Sequence, residues 1–197
     1  MNMKKDIILS GVGGQGILSI ATVIGRAALR EDLSLKQAEV HGMSQRGGDV
    51  QSHLRLSTGP VFSVLIPKGE CDLILSLEPM EALRYLPWLA KDGWIVTSST
   101  PFVNIPNYPP IEEVLSELQS VPNVITLDCE AIARAAMAPR GANMVLLGAA
   151  AGVLGILGPD DLRTGIAEVF ARKGEAVVAS NVAAFDAGLL ESKNLRK

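Results

Sequence analysis

Apolar runs broken by glycine and polar turns alternate along the first two thirds of the chain. Residues 4–10, centred on Ile7-Ile8-Leu9, read as a buried strand, and residues 11–16 follow as a glycine turn. Residues 17–30 place Ile17, Ile20, Ala21, Ile24 and Ala28 on one helical stripe, so the chain opens as strand, turn, helix. Residues 33–39 form a weaker second strand and residues 42–48 a loop. In the strand over residues 49–57, alternation puts Asp49, Gln51, His53 and Arg55 on one face and Val50, Leu54 and Leu56 on the other, as in a half-solvated edge strand. Residues 71–77 (CDLILSL) are continuously apolar enough for a central parallel strand covered on both faces. Pro79 then opens a helix carrying Met80, Leu83, Tyr85 and Leu86.

Strands follow at residues 94–98 and 124–127, separated by an irregular loop holding Pro101, Pro106, Pro109 and Pro110 and a short polar helix with Glu112, Glu113 and Glu117. Beyond that the pattern is helical over residues 130–137, 143–154, 160–172 and 175–190, punctuated by Gly158-Pro159 and Lys173-Gly174. The elements predict one α/β domain over residues 1–197: a single Rossmann-like fold with a mostly parallel sheet and a helical C-terminal third.

Composition narrows the classes of function. The formal net charge is -3, which argues against nucleic-acid binding through a basic footprint. With hydrophobic residues at 48% and charged residues at 20%, the chain can build a core, and aromatics at 4% leave that core to aliphatic side chains and alanine. Cys71 and Cys129 are the only cysteines; they can hold neither a disulfide scaffold nor a self-contained iron–sulfur cluster, which needs a set of thiolates. Both lie at strand ends in apolar surroundings and read as inert thiols. No secretory signal is read at the N-terminus. The apolar run over residues 144–157 falls short of the roughly 20 residues of a membrane span. The expectation is a soluble, cytoplasmic protein without a membrane or nucleic-acid partner.

The candidate chemistry lies in two glycine segments. Gly11-Val12-Gly13-Gly14-Gln15-Gly16 is a G-x-G-x-x-G turn between strand and helix, able to bring backbone N–H groups to an anion at a helix N-terminus. Equally, those glycines can serve only a tight turn and close strand–helix packing. A dinucleotide site also wants an acidic residue about 20 positions on, and Glu39 lies near that spacing, although the segment before it is a poor strand. In the second segment, Ser44-Gln45-Arg46-Gly47-Gly48, a planar cation beside two glycines suits a carboxylate or phosphate, or a partner chain. His41 and His53 have no metal-ligand spacing around them and read as solvated or hydrogen-bonded histidines, so no metal site is expected. No nucleophile elbow or zinc-protease helix is present, and no catalytic residue is assigned.

These residues carry a resemblance. Val12 to Gly16, Ser44 to Gly48, Asp72-Leu73-Ile74-Leu75 and Glu78-Pro79 together resemble the gamma-type component of 2-oxoacid:ferredoxin oxidoreductases, and residues 35–50 and 78–87 resemble most closely its indolepyruvate branch. The resemblance implies oxidative decarboxylation of a 2-oxo acid, here an aryl pyruvate, with coenzyme A to acyl-CoA, CO2 and reduced ferredoxin. It also implies that thiamine diphosphate, magnesium and iron–sulfur clusters sit on a large (alpha) partner subunit. This chain lacks the family's Gly-Asp-Gly diphosphate–magnesium segment and the cysteines for a cluster, so it is expected to bind no redox cofactor and to be inactive alone. Gly11, Gly13, Gly14, Gln15 and Gly16, with Ser44, Gln45, Arg46, Gly47 and Gly48, are then expected to form a substrate or coenzyme A contact or an interface at the C-terminal edge of the sheet. A docking face bare in the isolated chain can pair with itself as a homodimer. Two other readings are kept: a free-standing dinucleotide-binding oxidoreductase using NAD(P) or FAD, and a purely structural assembly subunit.

Overall fold

The computed structural model describes residues 3–41 and 47–195. Among these residues six strands form one sheet: β1 (Lys4–Val12), β2 (Ser34–His41), β3 (Asp49–Ser57), β4 (Cys71–Ser76), β5 (Leu89–Ser98) and β6 (Val124–Leu127), in the order β2-β3-β1-β4-β5-β6. The pairs β1–β4, β4–β5 and β5–β6 are parallel, whereas β3 runs antiparallel to both of its neighbours. Five strands therefore share a direction and their C-terminal ends line one edge. Among the described residues the α-helices are α1 (Ile17–Arg30), α2 (Pro79–Arg84), α3 (Ile111–Gln119), α4 (Cys129–Ala135), α5 (Ala142–Leu154), α6 (Pro159–Phe170) and α7 (Glu175–Leu195).

Alternation along the strands divides the core in two. Ile7 and Leu9 of β1, Leu54 and Leu56 of β3, and Leu73 and Leu75 of β4 face α1, α5, α6 and α7. On the other side Ile8, Ile74 and Ile95 meet Ala82 and Tyr85 around α2 and Val114 and Leu118 of α3. The apolar run that is too short for a bilayer is α5, buried on nearly all sides. It can sink so deep because Gly148 lies against the backbone of α7 at Phe185, and Gly188 of α7 against the backbone of α5 at Val145. No described helix is long and apolar enough to cross a membrane.

Two expectations change. The strand over residues 49–57 is not at an edge: β2 pairs along its whole length and takes the edge position itself. Its polar face is covered toward its end, at His53 and Arg55, while Asp49 at its start stays exposed. Asp6 of β1, fully buried, accepts from Arg55 at 2.8 and 2.9 Å and pairs with Lys4 at 2.9 Å. Arg55 donates onward to the carbonyl of Leu65 at 3.0 Å, and the Ile66 N–H donates to His53 Nδ1 at 3.1 Å. A buried ion pair and a chain segment over residues 59–67 thus replace water. The remaining differences are of extent. Pairing with β3 carries β1 on through Gly11 and Val12, β5 begins at Leu89, and α7 runs on to Leu195.

Candidate functional site

The glycine turn emerges from β1 at the C-terminal edge of the sheet and delivers the chain into α1. Gly14 and Gly16 have φ of 104° and 87°, in the left-handed region that glycine adopts without steric cost. At Gly16 a side chain would also strike the Asn143 amide, 2.7 Å from where a Cβ would stand. Gly16 caps α1 without a side-chain acceptor, and no acidic residue occupies the first turn of that helix. The opening N–H groups of a helix have no intrahelical acceptor, so this terminus keeps donors and a positive dipole end for an anion.

Gly47 and Gly48 lie directly against this turn. Gly13 N–H donates to the Gly48 carbonyl at 2.8 Å, and Gly47 N–H donates to the Gly13 carbonyl at 3.4 Å. Two of the sequence-predicted segments are therefore brought together by backbone bonds. Ser44, Gln45 and Arg46 lie outside the described residues. The amide of Gln15 is turned inward: its Oε1 accepts from Val12 N–H at 2.7 Å and its Nε2 donates to the Leu77 carbonyl at 3.1 Å. It locks the turn onto the end of β4. Gly11 sits beneath it, with only 2.8 Å between an added Cβ and Gln15 Oε1. Beside the turn, a cleft of about 110 Å³ has Gln15, Leu77, Ser98, Thr100, Phe102 and Cys129 among its lining residues.

The groups here suit binding better than covalent or proton-transfer chemistry. Burial pushes the thiols of Cys71 and Cys129 up to about 12, so neither offers a thiolate near neutral pH. His53 is held below the usual imidazole range, first by burial and then by the Arg55 cation, with Asp6 opposing. Its place on β3 against Ile66 puts it away from the glycine turn. Among the described residues no three His, Cys, Asp or Glu side chains converge as a metal site. Glu39 fails the geometric test for a dinucleotide site. In a doubly wound fold the acidic residue ends the strand next to β1, but here β3 stands between, and Glu39 on β2 pairs with Ser52 of β3. That interposed strand displaces it by about 4.8 Å beyond the expected position.

The structure adds three residues to this rim that local sequence patterns did not single out as a group. Glu78, only 1% exposed at the end of β4, accepts from the Glu81 N–H at 2.8 Å and so caps α2. Its other oxygen accepts from Phe102 N–H at 3.3 Å and from the Tyr108 hydroxyl. Asn104 donates to the Gly47 carbonyl. The cap was legible in Glu78-Pro79 with Glu81 three positions on, a helix-start signature. The links to Tyr108 and Asn104 are long-range and have no local signal.

The chain resembles proteins of one kind. It is 40% identical over 160 residues to the indolepyruvate oxidoreductase subunit IorB of Methanothermobacter thermautotrophicus, covering 78% of this chain and 81% of that one. It is 39% identical over 153 residues to the protein of the same name from Archaeoglobus fulgidus, covering 74% and 75%. Among solved structures, the 2-oxoglutarate:ferredoxin oxidoreductase from Magnetococcus marinus, with 2-oxoglutarate, coenzyme A and succinyl-CoA bound, superposes with a TM-score of 0.75 at 22% identity. The match covers 97% of this chain and 31% of that one, so the fold forms about a third of a longer polypeptide there. The family model for pyruvate ferredoxin/flavodoxin oxidoreductase matches residues 6–191, and with these relatives it shows that the chain belongs to that family, as a small subunit of a 2-oxoacid:ferredoxin oxidoreductase.

Proposed function

We propose that this chain is the gamma-type small subunit of an indolepyruvate (aryl pyruvate):ferredoxin oxidoreductase, and that its part is to bind and orient coenzyme A at the C-terminal edge of the sheet. The reaction is the oxidative decarboxylation of the 2-oxo acid to acyl-CoA and CO2 with reduction of ferredoxin. The observation that carries the choice of substrate is the 40% identity, over 78% of the chain, to a subunit named for indolepyruvate. Thiamine diphosphate, magnesium and the iron–sulfur clusters belong on a large partner subunit. The two thiols of this chain, far apart in sequence, buried and held protonated, do not fit an iron–sulfur cluster, and among the described residues no three His, Cys, Asp or Glu side chains converge to hold a metal ion. The protein contributes what a chain without redox centres can: an uncapped helix terminus and glycine backbone for a phosphate group, the Arg46 cation as anion contact, Gln45 as a polar orienting group, and walls that exclude water.

Coexpression with the large subunit tests this reading. The expected result is copurification and a viologen or ferredoxin reduction that needs both chains, indolepyruvate and coenzyme A. Turnover by the small chain alone, or a flavin or nicotinamide copurifying with it, overturns the reading in favour of a free-standing dinucleotide enzyme. A purely structural subunit is favoured by one observation, the inward commitment of Gln15 and of the Gly13 backbone. Arg46→Ala separates the two: a raised KM for coenzyme A or the oxo acid in an intact complex supports the binding role, and unchanged kinetics support the structural one.

A further inference from the structure

The rim of the site is a closed circuit of hydrogen bonds, and Glu78 is its hub. Starting at the glycine turn, Gln15 Nε2 reaches the Leu77 carbonyl at 3.1 Å, immediately before Glu78. One Glu78 oxygen gathers both ends of the segment over residues 102–108, through Phe102 N–H at 3.3 Å and the Tyr108 hydroxyl. From the middle of that segment Asn104 reaches the Gly47 carbonyl, and Gly47 and Gly48 return to Gly13 at 3.4 and 2.8 Å. A helix cap needs one side-chain oxygen, and the Glu81 N–H already occupies one. The second oxygen of this buried carboxylate is spent on the segment, which holds Pro106 and is flanked by Pro101, Pro109 and Pro110, none of which has an N–H group to join a ladder.

The consequence falls on Gly47. Its φ of 83° belongs to a conformation that glycine leaves easily, so the peptide between Gly47 and Gly48 can rotate at low cost. Rotation would break the contact with Asn104 and disturb the bonds by which Gly47 and Gly48 are held against Gly13 of the turn. Asn104 occupies the Gly47 carbonyl oxygen and fixes the peptide.

We infer that Glu78, Tyr108 and Asn104 form a positioning clamp that holds the Gly47–Gly48 peptide in place against the glycine turn at the anion site. The clamp rests on the reading of that site as a coenzyme A contact. Its test uses the assembled two-subunit enzyme with Asn104→Ala, Tyr108→Phe and Glu78→Gln, measuring kcat and KM for coenzyme A together with coenzyme A affinity by equilibrium dialysis. Loss of one such bond predicts a KM and Kd raised about three- to tenfold, with kcat lowered less than KM is raised. Asn104→Asp, which removes the donor and adds a negative charge, is expected to exceed Asn104→Ala. Asn123→Ala, at the opposite end of the sheet where Asn123 bonds the Asp92 carbonyl, is the control and leaves KM unchanged. Asn104 is exposed, so its substitution decides the matter even if Glu78→Gln does not fold. Unchanged KM and Kd in Asn104→Ala, while Arg46→Ala or Gly14→Asp raises them, overturns the clamp and leaves the site standing. Unchanged values in all of these variants overturn the site and the clamp together.

Discussion

Helical glycines usually weaken a helix, and replacing one by alanine gains about 1 kcal/mol of propensity. At Gly188 the opposite sign is expected. A methyl group there would lie 2.7 and 2.9 Å from the carbonyl carbon and Cα of Val145, and closer still to its carbonyl oxygen. All three are backbone atoms of α5, so no rotamer change relieves the overlap, and the two helices must part by about an ångström. Overpacking of this kind costs about 1–3 kcal/mol, and separation of α5 from α7 also loosens the packing of Phe185, which is fully buried. Because the overlap is with backbone that no rotamer change relieves, the cost lies at the upper end of that range, about 2–3 kcal/mol, and set against the propensity gain the net loss for Gly188→Ala is about 1–2 kcal/mol. For a chain of this size that is a fall in Tm of about 2–8 °C. Gly25→Ala is the matched comparison. It too lies within a helix, but the nearest atom is Leu35 Cδ2 at 3.3 Å, the far end of a flexible side chain. Gly25→Ala is expected to be neutral or stabilising. Thermal unfolding followed by circular dichroism, supported by urea midpoints, measures both. A Gly188→Ala protein as stable as the parent, or a Gly25→Ala protein destabilised just as much, would show that the α5–α7 crossing is not limited by backbone contact.

Two further outcomes follow from the buried titratable groups. A thiol reagent at pH 8 should modify neither Cys71 nor Cys129 in the native protein and both after unfolding, because burial holds each thiol near 12; rapid native labelling would contradict that burial. His53 is held below its unfolded value of 6.5, so at acid pH the unfolded chain binds more protons than the folded one. Its contribution to stability is therefore fully present above pH 6.5 and declines as the pH falls below that value. His53→Gln should flatten this part of the urea-midpoint profile between pH 7 and 5, and an unchanged slope would assign it to other groups.

The parts of the fold that were legible in the sequence are those fixed by local periodicity. α1 begins and ends where its apolar stripe does, and β6 coincides with residues 124–127 because its alternation and flanking turns leave no other register. What local pattern could not supply is order across the sheet. The alternation of Asp49, Gln51, His53 and Arg55 correctly places them on one face, yet the same pattern describes a wet edge strand and an interior strand over a buried ion pair. Two long-range features distinguish them: the pairing of β2 along the strand, and the carboxylate of Asp6, 49 residues from Arg55.

The same limit decides how the candidate site was read. The glycine turn announces itself, because positive φ at Gly14 and Gly16 has a residue-type signature. Glu39 has the right separation along the chain for a dinucleotide site, but separation along the chain is a proxy for adjacency in the sheet, and the inserted β3 breaks the proxy. The inserted strand that denies a nucleotide its acidic partner also brings Gly47 and Gly48 against Gly13, since the entry to β3 is paired with the exit of β1 at Val12 and Asp49. One change of topology thus removes a feature of a dinucleotide site and supplies a second glycine wall on the same edge. That exchange is why the phosphate contact proposed for the glycine motif is one shared with other chain segments, and not a self-sufficient nucleotide pocket.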